Sequence, residues 1–157
     1  MLRASEELEA DIRSCDWSSN SKFICVGGVN GKAYNLNADT LEILGEITSV
    51  LASKARKKGE CWIEDIKFSP DNSMFAFGTH GGLSKVEIVN VDRKGKITKG
   101  KVIDPKMSSA LTHLDWSVDS ETIVCNSQGY EIFWVNPDTK ERLTASSAKD
   151  IEWFTWT

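Results

Sequence analysis

The feature that most constrains the fold of this chain is a short phrase that occurs three times and starts a fourth time. An apolar residue is followed five positions later by an aromatic residue and then by serine or threonine. The copies are Ile12-Arg-Ser-Cys-Asp-Trp17-Ser18, Ile63-Glu-Asp-Ile-Lys-Phe68-Ser69, Leu111-Thr-His-Leu-Asp-Trp116-Ser117 and Ile151-Glu-Trp-Phe-Thr-Trp156-Thr157. Intervals of roughly 40 to 50 residues are typical of solenoids and propellers. We therefore predict that Trp17, Phe68, Trp116 and Trp156 are the structural anchors of a repeat.

The residues after each anchor predict three further strands. A polar turn is followed by an apolar run, a glycine-bearing turn, a second apolar run and a final alternating segment. Such runs are rich in β-branched and aromatic residues, as strands are, and glycine supplies the positive φ of a tight hairpin. The predicted strands are 22–26, 32–36 and 41–48, then 73–77, 84–91 and 97–103, then 121–125, 130–135 and 143–147.

Four strands in about 40 to 45 residues are the signature of a propeller blade. The prediction is an all-β, partial β-propeller with three four-stranded antiparallel blades at approximately 11–48, 62–103 and 110–147, and the first strand of a next blade at 150–157. Because propellers close with about four to eight blades, we expect an incomplete ring. Such an arc would meet remaining blades or associate with itself through its open edges.

The aromatic phrase and the turn after it resemble the WD-repeat family, although the namesake dipeptide is replaced by Leu36-Asn37, Val91-Asp92 and Val135-Asn136. The resemblance is more specific than a generic WD-repeat match in three stretches, which are residues 63–80, residues 111–117 with 130–132, and residues 149–157. Together with 11–17, they are similar to the echinoderm microtubule-associated protein-like family over nearly the whole chain, within its carboxy-terminal propeller. The resemblance implies a cytoplasmic, cytoskeletal protein that binds tubulin or microtubules.

Composition and cysteine placement favour a propeller without a cofactor or metal site. Apolar residues make up 40% of the chain and the net charge is −4, while no apolar run approaches the roughly 20 residues of a membrane span. Cys15, Cys25 and Cys125 fall in repeat columns that are apolar elsewhere, and Cys61 is expected to be partly exposed. Without a C-x-x-C spacing, and with two histidines, zinc is disfavoured.

Enzymatic interpretations find little support in the sequence. The segment 27–33 superficially resembles a phosphate loop, but it lacks the first glycine and the final hydroxyl residue, so it is predicted to be a hairpin turn. His113 lies inside a predicted first strand and is interpreted as a hydrogen-bonded structural histidine. His80 lies at a turn and is the candidate for a functional histidine, yet no partner for catalysis can be named.

Two clusters of basic residues are candidate partner contacts. Lys54, Arg56, Lys57 and Lys58 lie in the connection between the first two blades, and Arg93 and Lys94, with Lys96, Lys99 and Lys101, surround the last hairpin of the second blade. In a propeller these two kinds of connection emerge on opposite faces. Either the lysines solvate the rims, or one cluster attracts an acidic partner such as a tubulin tail. Nucleic acid is disfavoured because the chain is acidic and its aromatic residues are assigned to packing.

Three tryptophans depart from the column pattern. Trp62 and Trp153 stand where the other repeats carry mostly small or polar residues. Packing between blades is the simpler interpretation of both, and of Trp134 on a third strand. Because tryptophan is enriched at binding hot spots, Trp62 is kept as a candidate contact.

The sequence as a whole predicts a non-catalytic protein-interaction scaffold, part of a microtubule-associated protein. The alternative is a general WD-repeat assembly scaffold unrelated to tubulin, and the outsider is an enzyme that uses His80. Neither a membrane nor nucleic acid is expected as a partner.

Overall fold

The computed structural model describes residues 8–52, 61–81 and 84–155, which form three four-stranded antiparallel sheets. The first blade contains β1 (Ile12–Trp17), β2 (Phe23–Gly28), β3 (Lys32–Asn37) and β4 (Ile43–Thr48). The second contains β5 (Trp62–Phe68), β6 (Met74–His80), β7 (Val86–Val91) and β8 (Ile97–Ile103). The third contains β9 (Leu111–Trp116), β10 (Ile123–Ser127), β11 (Ile132–Val135) and β12 (Arg142–Leu143), followed by α1 (Ala145–Ala148).

Each sheet is a meander in which consecutive strands are neighbours. The three first strands lie at the centre of the arc, because β1 contacts β5 and β5 contacts β9. The prediction of three antiparallel WD-type blades is therefore confirmed, and the sheets do not close into a ring. In the described part of the chain, no helix is long and apolar enough to cross a membrane.

The outer strand of the third blade differs from the prediction. A strand was expected over 143–147, but β12 ends at Leu143 and α1 follows. Thr144 has an extended backbone, and its side chain accepts a hydrogen bond from the Ser147 backbone N–H, which is the geometry of a helix N-cap. The small residues of 145–148 offer little apolar alternation to hold them in a sheet.

A further first strand was expected over 150–157, and the structure shows a different arrangement there. Trp153 forms a single antiparallel bridge with Ser117. Two backbone bonds flank it, from Val118 N to Glu152 O (2.9 Å) and from Phe154 N to Trp116 O (2.8 Å). We call residues 150–155 the strap. It fastens the chain to the end of β9, and Trp156 lies outside the described residues.

The core lies between the blades. The face of each blade that looks back to the previous blade is called its leading face, and the opposite one its trailing face. Between blades 1 and 2, Phe23, Cys25, Ala33 and Ile47 on the trailing face pack with Ile63, Ile66, Phe68, Phe75 and Phe77 on the leading face. Between blades 2 and 3, Ala76, Val86, Ile88 and Ile103 pack with Leu111, Leu114, Trp116, Ile123 and Cys125.

Two glycines bring neighbouring blades into close contact. A Cβ atom on Gly27 would lie 2.5 Å from the side chain of Ile63, and one on Gly78 would lie 2.6 Å from Leu111. These glycines occupy the same column of the second strand. Their missing side chains make room for the first apolar residue of the next blade's inner strand.

The turn between the first two strands of each blade is held by side chains. In blade 2, the Ser69 hydroxyl donates to Asp71 (2.6 Å) and accepts from Met74 N (3.1 Å), while Asp71 accepts from Ser73 N (3.0 Å). Asn72 has a φ of 64°. The same arrangement recurs at Ser18, Asn20 and Ser21 and at Ser117, Asp119 and Ser120. The polar turns predicted after each anchor are confirmed.

The glycine turns are confirmed in the first two blades and differ in the third. Gly31 has a φ of 74° and Gly81 one of 75°, but in the third blade the left-handed residue is Tyr130 (φ 59°) rather than Gly129. The segment 27–33 forms the end of β2, the turn and the start of β3, as the hairpin interpretation requires.

Two cysteines differ from their predicted exposure. Cys61 was expected to be partly exposed, but it is only 4% exposed because it lies against the turn that contains Gly31. Cys15 lies in an apolar column, yet it is exposed, since no described blade covers the leading face of blade 1. Cys25 and Cys125 are buried as predicted.

Candidate interaction surfaces

The turn between β7 and β8 is a rigid carrier of positive charge. Asp92 accepts backbone hydrogen bonds from Lys94 (2.8 Å) and Lys96 (2.9 Å), and Gly95 between them has a φ of 82°. The side chains of Arg93 and Lys94 at its tip are exposed. The backbone of the turn is therefore fixed, while its cationic side chains reach solvent.

Blade 1 anchors this turn from behind. The Asn35 side-chain amide donates to the Gly95 carbonyl at 2.7 Å. A Cβ on Gly95 would meet Leu44, and it would lie 2.6 Å from the Phe23 ring, so only glycine fits this left-handed position. Packing against the neighbouring blade thus orients the basic residues away from the core.

We define the basic hairpin as Arg93, Lys94, Lys96 and Lys99. All four side chains are exposed, and none forms an ion pair with any residue that the structure describes. Lys101 differs, because its ammonium group pairs with Asp138 at 2.8 Å. The basic hairpin therefore presents four exposed cations on a chain with a net charge of −4. The Asp92 carboxylate lies in the same turn, and Lys99 is attracted to Glu87 without a direct ion pair.

At the edge of blade 2 that lies away from the basic hairpin, Trp62 and His80 form a stacked pair. The two residues are cross-strand partners of β5 and β6, and their ring centroids lie 4.1 Å apart with an interplanar angle of 9°. The sequence singled out both residues separately, and strand register brings them together. The Nδ1 atom of His80 is buried and has no hydrogen-bond partner in the described part of the chain.

Glu64 and Arg13 complete this aromatic cluster across the junction of blades 1 and 2. The Trp62 indole N–H donates to the Glu64 carboxylate, and Arg13 Nη2 donates to Glu64 Oε1 at 2.9 Å. The Arg13 guanidinium carbon lies 6.0 Å from the centre of the Trp62 ring. Partial burial acts to raise the pKa of Glu64, but the hydrogen bonds from Arg13 and Trp62 outweigh it and lower that pKa. Glu64 is therefore a fixed anion that holds the cluster in place.

The basic loop predicted between blades 1 and 2 lies outside the described residues, and so do all four of its cations, Lys54, Arg56, Lys57 and Lys58. The structure describes the strands on either side of it. β4 ends and β5 starts at the edge where β6 ends, which is the edge that carries Trp62 and His80. The basic hairpin lies at the other edge.

The described repeat anchors occupy equivalent positions with different exposure. Phe68 is 2% exposed and Trp116 is 0% exposed, whereas Trp17 is 52% exposed. The Trp116 indole N–H donates to the Lys67 carbonyl of the preceding blade at 3.0 Å. Trp17 is open because no described blade precedes it.

The other tryptophans lie near the open end of blade 3. Trp134 is half-buried on the trailing face, where it pairs with Leu143 across the sheet. Trp153 is half-buried in the strap. Packing of Trp153 against a further blade stays a prediction.

Among the residues that the structure describes, His113 has no partner for the hydrogen bond that the sequence interpretation assigned to it. Its side chain is 82% exposed, and its Nδ1 atom lies 3.8 Å from Asp65 Oδ2, beyond hydrogen-bond distance. It borders a cavity of about 570 Å³ at the inner end of blade 3, together with Asp65, Lys67, Asp115 and Asn126. No group of three or more His, Cys, Asp or Glu side chains in the described ranges has an arrangement suited to a metal ion.

Buried and half-buried carboxylates join the blades, and sequence reasoning missed them. Asp16 accepts a hydrogen bond from Phe68 N (2.8 Å) of the next blade, and Asp65 accepts one from Leu114 N (3.0 Å). Glu87 accepts from the Ser49 hydroxyl (2.9 Å) and from Val50 N (3.0 Å). Burial raises the pKa of Asp16, Asp65 and Glu87, although these hydrogen bonds oppose the change. The sequence feature that could have indicated them is Glu87, a charged residue in a strand that is apolar apart from Glu87 and Asn90.

Comparison with known proteins identifies the type of repeat. The WD domain, G-beta repeat family matches residues 4–34. The chain is 31% identical to mouse echinoderm microtubule-associated protein-like 2 over 98% of its own length and 22% of that protein. It is 28% identical to human echinoderm microtubule-associated protein-like 1 over 96% of its length and 17% of that protein. It is also 28% identical to Xenopus laevis echinoderm microtubule-associated protein-like 4 over 99% of its length and 16% of that protein.

These similarities extend over nearly all of this chain and a small part of each relative. The chain spans about a fifth of the length of the curated relatives it matches. The resemblance to the echinoderm microtubule-associated protein-like family, noted from the repeat wording, is confirmed.

Proposed function

We propose that this chain is part of a non-catalytic interaction scaffold that binds tubulin or microtubules in the cytoplasm. The names of its relatives describe microtubule-associated proteins, and WD-type blades provide rigid sheets that carry variable turns. Recognition residues are commonly placed on turns that a rigid scaffold positions. On this proposal, the blades orient the contact residues and no catalytic group is needed.

The basic hairpin is the observation that carries the proposal. Its four cations are exposed and have no ion pair within the described residues, and its backbone is fixed by Asp92 and Asn35. An acidic partner is attracted to such a turn over roughly one Debye length, about 8 Å at physiological ionic strength. Because the backbone is already ordered, little conformational entropy is lost on binding. A flexible acidic tail would suit this surface.

Cosedimentation of the chain with microtubules tests the proposal. We expect Arg93→Glu combined with Lys94→Glu to weaken pelleting roughly tenfold, equivalent to about 1.4 kcal/mol. Added salt should also weaken the pelleting of the unmodified chain with microtubules, because exposed charge pairs are screened. The charge control is Lys140→Glu with Lys149→Glu, which changes the net charge equally at two exposed positions, one in blade 3 and one at the end of α1. Lys149 forms an exposed ion pair with Asp150 at 3.7 Å, and such a pair contributes little to stability. Equal loss in both variants would contradict a specific role for the hairpin.

The predicted basic loop supplies an independent arm of this experiment. Reversal of Lys54, Arg56, Lys57 and Lys58 to glutamate removes the other positive cluster. If the loop is the contact, its variant loses pelleting and the hairpin variant keeps it. If neither the unmodified chain nor any variant pellets with microtubules, the general WD-repeat assembly scaffold replaces the tubulin-binding proposal.

If the chain is a general WD-repeat assembly scaffold, the aromatic cluster is a second candidate surface for contact with a partner protein. Trp62 is half-buried and stacked on His80, and tryptophan and arginine are enriched at binding hot spots. His80 contacts an aromatic ring here, and among the described residues no hydrogen bond joins it to a nucleophile or carboxylate. An interaction role for Trp62 and His80 is therefore better supported than an enzyme that uses His80.

A further inference from the structure

The outer strand of blade 1 contains a β-bulge. In β4, Gly45 pairs with Asn35 and Ile43 pairs with Leu36, so Leu44 has no partner of its own in β3. Successive side chains of a regular strand point to opposite faces of the sheet, but a bulge re-aims a side chain. Leu44 packs with the core between blades 1 and 2. The bulge thus turns Leu44 toward blade 2.

Leu44 and Gly45 contact the basic hairpin on either side of Lys96. A Cβ atom on Gly95 would meet the Leu44 side chain, and one on Gly45 would lie 2.8 Å from Ile97 Cγ1. In a regular strand only one of two consecutive residues could face blade 2. The bulge in β4 therefore gives blade 1 two adjacent contacts with the basic hairpin.

The outer strand of blade 2 contains a bulge of its own. Between Lys99 and Val102, β8 has two residues where β7 has only Ile88. One of the two is Gly100, and a Cβ atom on it would lie 2.7 Å from the Ile88 carbonyl oxygen. A bulge bends its strand and increases the local twist. This one lies where the basic hairpin joins the body of blade 2, so it affects the direction of the hairpin.

We propose that the two bulges fix the direction of the basic hairpin against blade 1, and that the acidic partner of the hairpin depends on this preorganisation. Leu44 and Gly100 are then positioning residues, because they are uncharged and act through the four cations. A hairpin that is held in one direction loses little conformational entropy on binding, whereas one that moves must first be ordered. The dependence of the partner rests on the proposed function, but the direction of the hairpin does not.

Deletion of Gly100 removes the bulge of blade 2 with little other change. Ile88 would then face Lys101 alone, and the other pairs of β8 would keep their partners, so no side chain has to change face. The chain also keeps the four cations of the hairpin and its net charge of −4. This variant therefore tests the direction of the hairpin separately from its charge.

Spin labels on Lys94→Cys and Thr40→Cys measure the direction of the hairpin relative to blade 1. Both positions are exposed. Cys15→Ser removes the exposed native thiol, and the other three cysteines are buried. Deletion of Gly100 should change the most populated distance by at least about 3 Å, roughly the rise of one strand residue, and broaden its distribution. An unchanged distribution would overturn the proposal.

Cosedimentation of the unlabelled chains with microtubules tests the dependence of the partner. Deletion of Gly100 should weaken pelleting several-fold at each salt concentration. The dependence of pelleting on salt should stay the same, because the number of exposed cations is unchanged. If the hairpin moves and pelleting does not change, the proposal is wrong. If the unmodified chain does not pellet, the proposed function fails, and the label distances still decide whether the bulges direct the hairpin.

Leu44→Ala tests the bulge of blade 1 without a change of chain length, and it carries the test if deletion of Gly100 prevents folding. It removes the contact of Leu44 with Gly95, so it should broaden the label distances and weaken pelleting. Leu143→Ala is the matched control, because Leu143 is a half-buried leucine in the outer strand of blade 3, and it should leave both measurements unchanged. Equal effects of the two alanine variants would show a general loss of stability and overturn the proposal.

Discussion

At the scale of single residues, buried carboxylates connect one blade to the next. A hydrogen bond between a carboxylate and a backbone N–H satisfies a donor that an apolar neighbour would leave unpaired, and an unsatisfied buried donor costs about 1–3 kcal/mol. Asp65 illustrates the balance. It is 8% exposed, its pKa is raised by burial, and Leu114 N and Ile66 N favour its ionised form. The acceptor is needed at this position, whereas the charge is not.

Substitution of Asp65 by asparagine should therefore flatten the pH dependence of stability. A carboxyl whose pKa is higher in the folded state binds more protons there, so its contribution to the free energy of unfolding falls as pH rises from its unfolded to its folded pKa. Asp65→Asn keeps one oxygen acceptor, which can serve Leu114 N, but it loses the bond from Ile66 N to the other oxygen. This variant should remove the fall with pH. Asp65→Ala should cost about 1–3 kcal/mol. Urea unfolding across this pH window measures both.

Asp104→Asn is the control, because the pKa of Asp104 is shifted in the direction opposite to that of Asp65. Burial acts to raise the pKa of Asp104, but hydrogen bonds from Lys106 and the ion pair with Lys85 lower it to about 2. Its contribution is therefore present above the unfolded pKa and is lost as pH falls toward 2. A parallel response of Asp65→Asn and Asp104→Asn would show that the Asp65 carboxyl is not raised in the folded state.

At the scale of elements, the second strand of each blade sets how closely the next blade approaches. Gly78 lies in β6, and a Cβ there would lie 2.6 to 2.8 Å from three side-chain atoms of Leu111. Among described glycines, positive φ is confined to Gly31, Gly81 and Gly95, so the backbone of Gly78 makes no special demand. The requirement for glycine comes from the neighbouring sheet.

Gly78→Val should destabilise the chain by about 1–3 kcal/mol through overpacking, although valine itself favours strands. Leu111→Ala alone should cost about 2–5 kcal/mol. The double variant should lose less than the two single costs combined, because the smaller residue 111 makes room for the valine. Strict additivity in urea unfolding would show that the two residues do not share the contact.

At the scale of the whole molecule, position in the arc decides what a repeated residue does. Trp17 and Trp116 hold the same column and close equivalent strands. Trp116 is enclosed by two blades and donates a hydrogen bond to one of them, whereas half of Trp17 is exposed. Equivalent residues of the repeat are therefore unequal in the free energy that they contribute.

Substitution by alanine should expose this difference. Trp116→Ala should lower the free energy of unfolding by about 3–5 kcal/mol, in the range of fully buried large side chains. Trp17→Ala should cost less than about 1 kcal/mol, because much of its surface is already hydrated. Denaturant unfolding of the 157-residue chain measures both costs. Similar costs would mean that Trp17 is covered in solution.

Much of the fold could be predicted from local pattern. The prediction of β8 agrees at both ends, and most other strands agree within two residues, because alternation and turn residues act between neighbours in the chain. The exceptions involve partners distant in sequence. The stacking of Trp62 on His80 follows from the register of β5 and β6, which neither residue encodes alone.

The sequence by itself determined the meander of each blade, the polar turns and the columns that face inward. Periodicity and turn chemistry are local, so they are legible in a single chain. Only the tertiary structure decided which copies of a column are buried, which carboxylates bridge blades and where the basic hairpin is anchored. Those properties depend on a second sheet about 50 residues away, and its presence or absence makes Trp116 a core residue and Trp17 an exposed one.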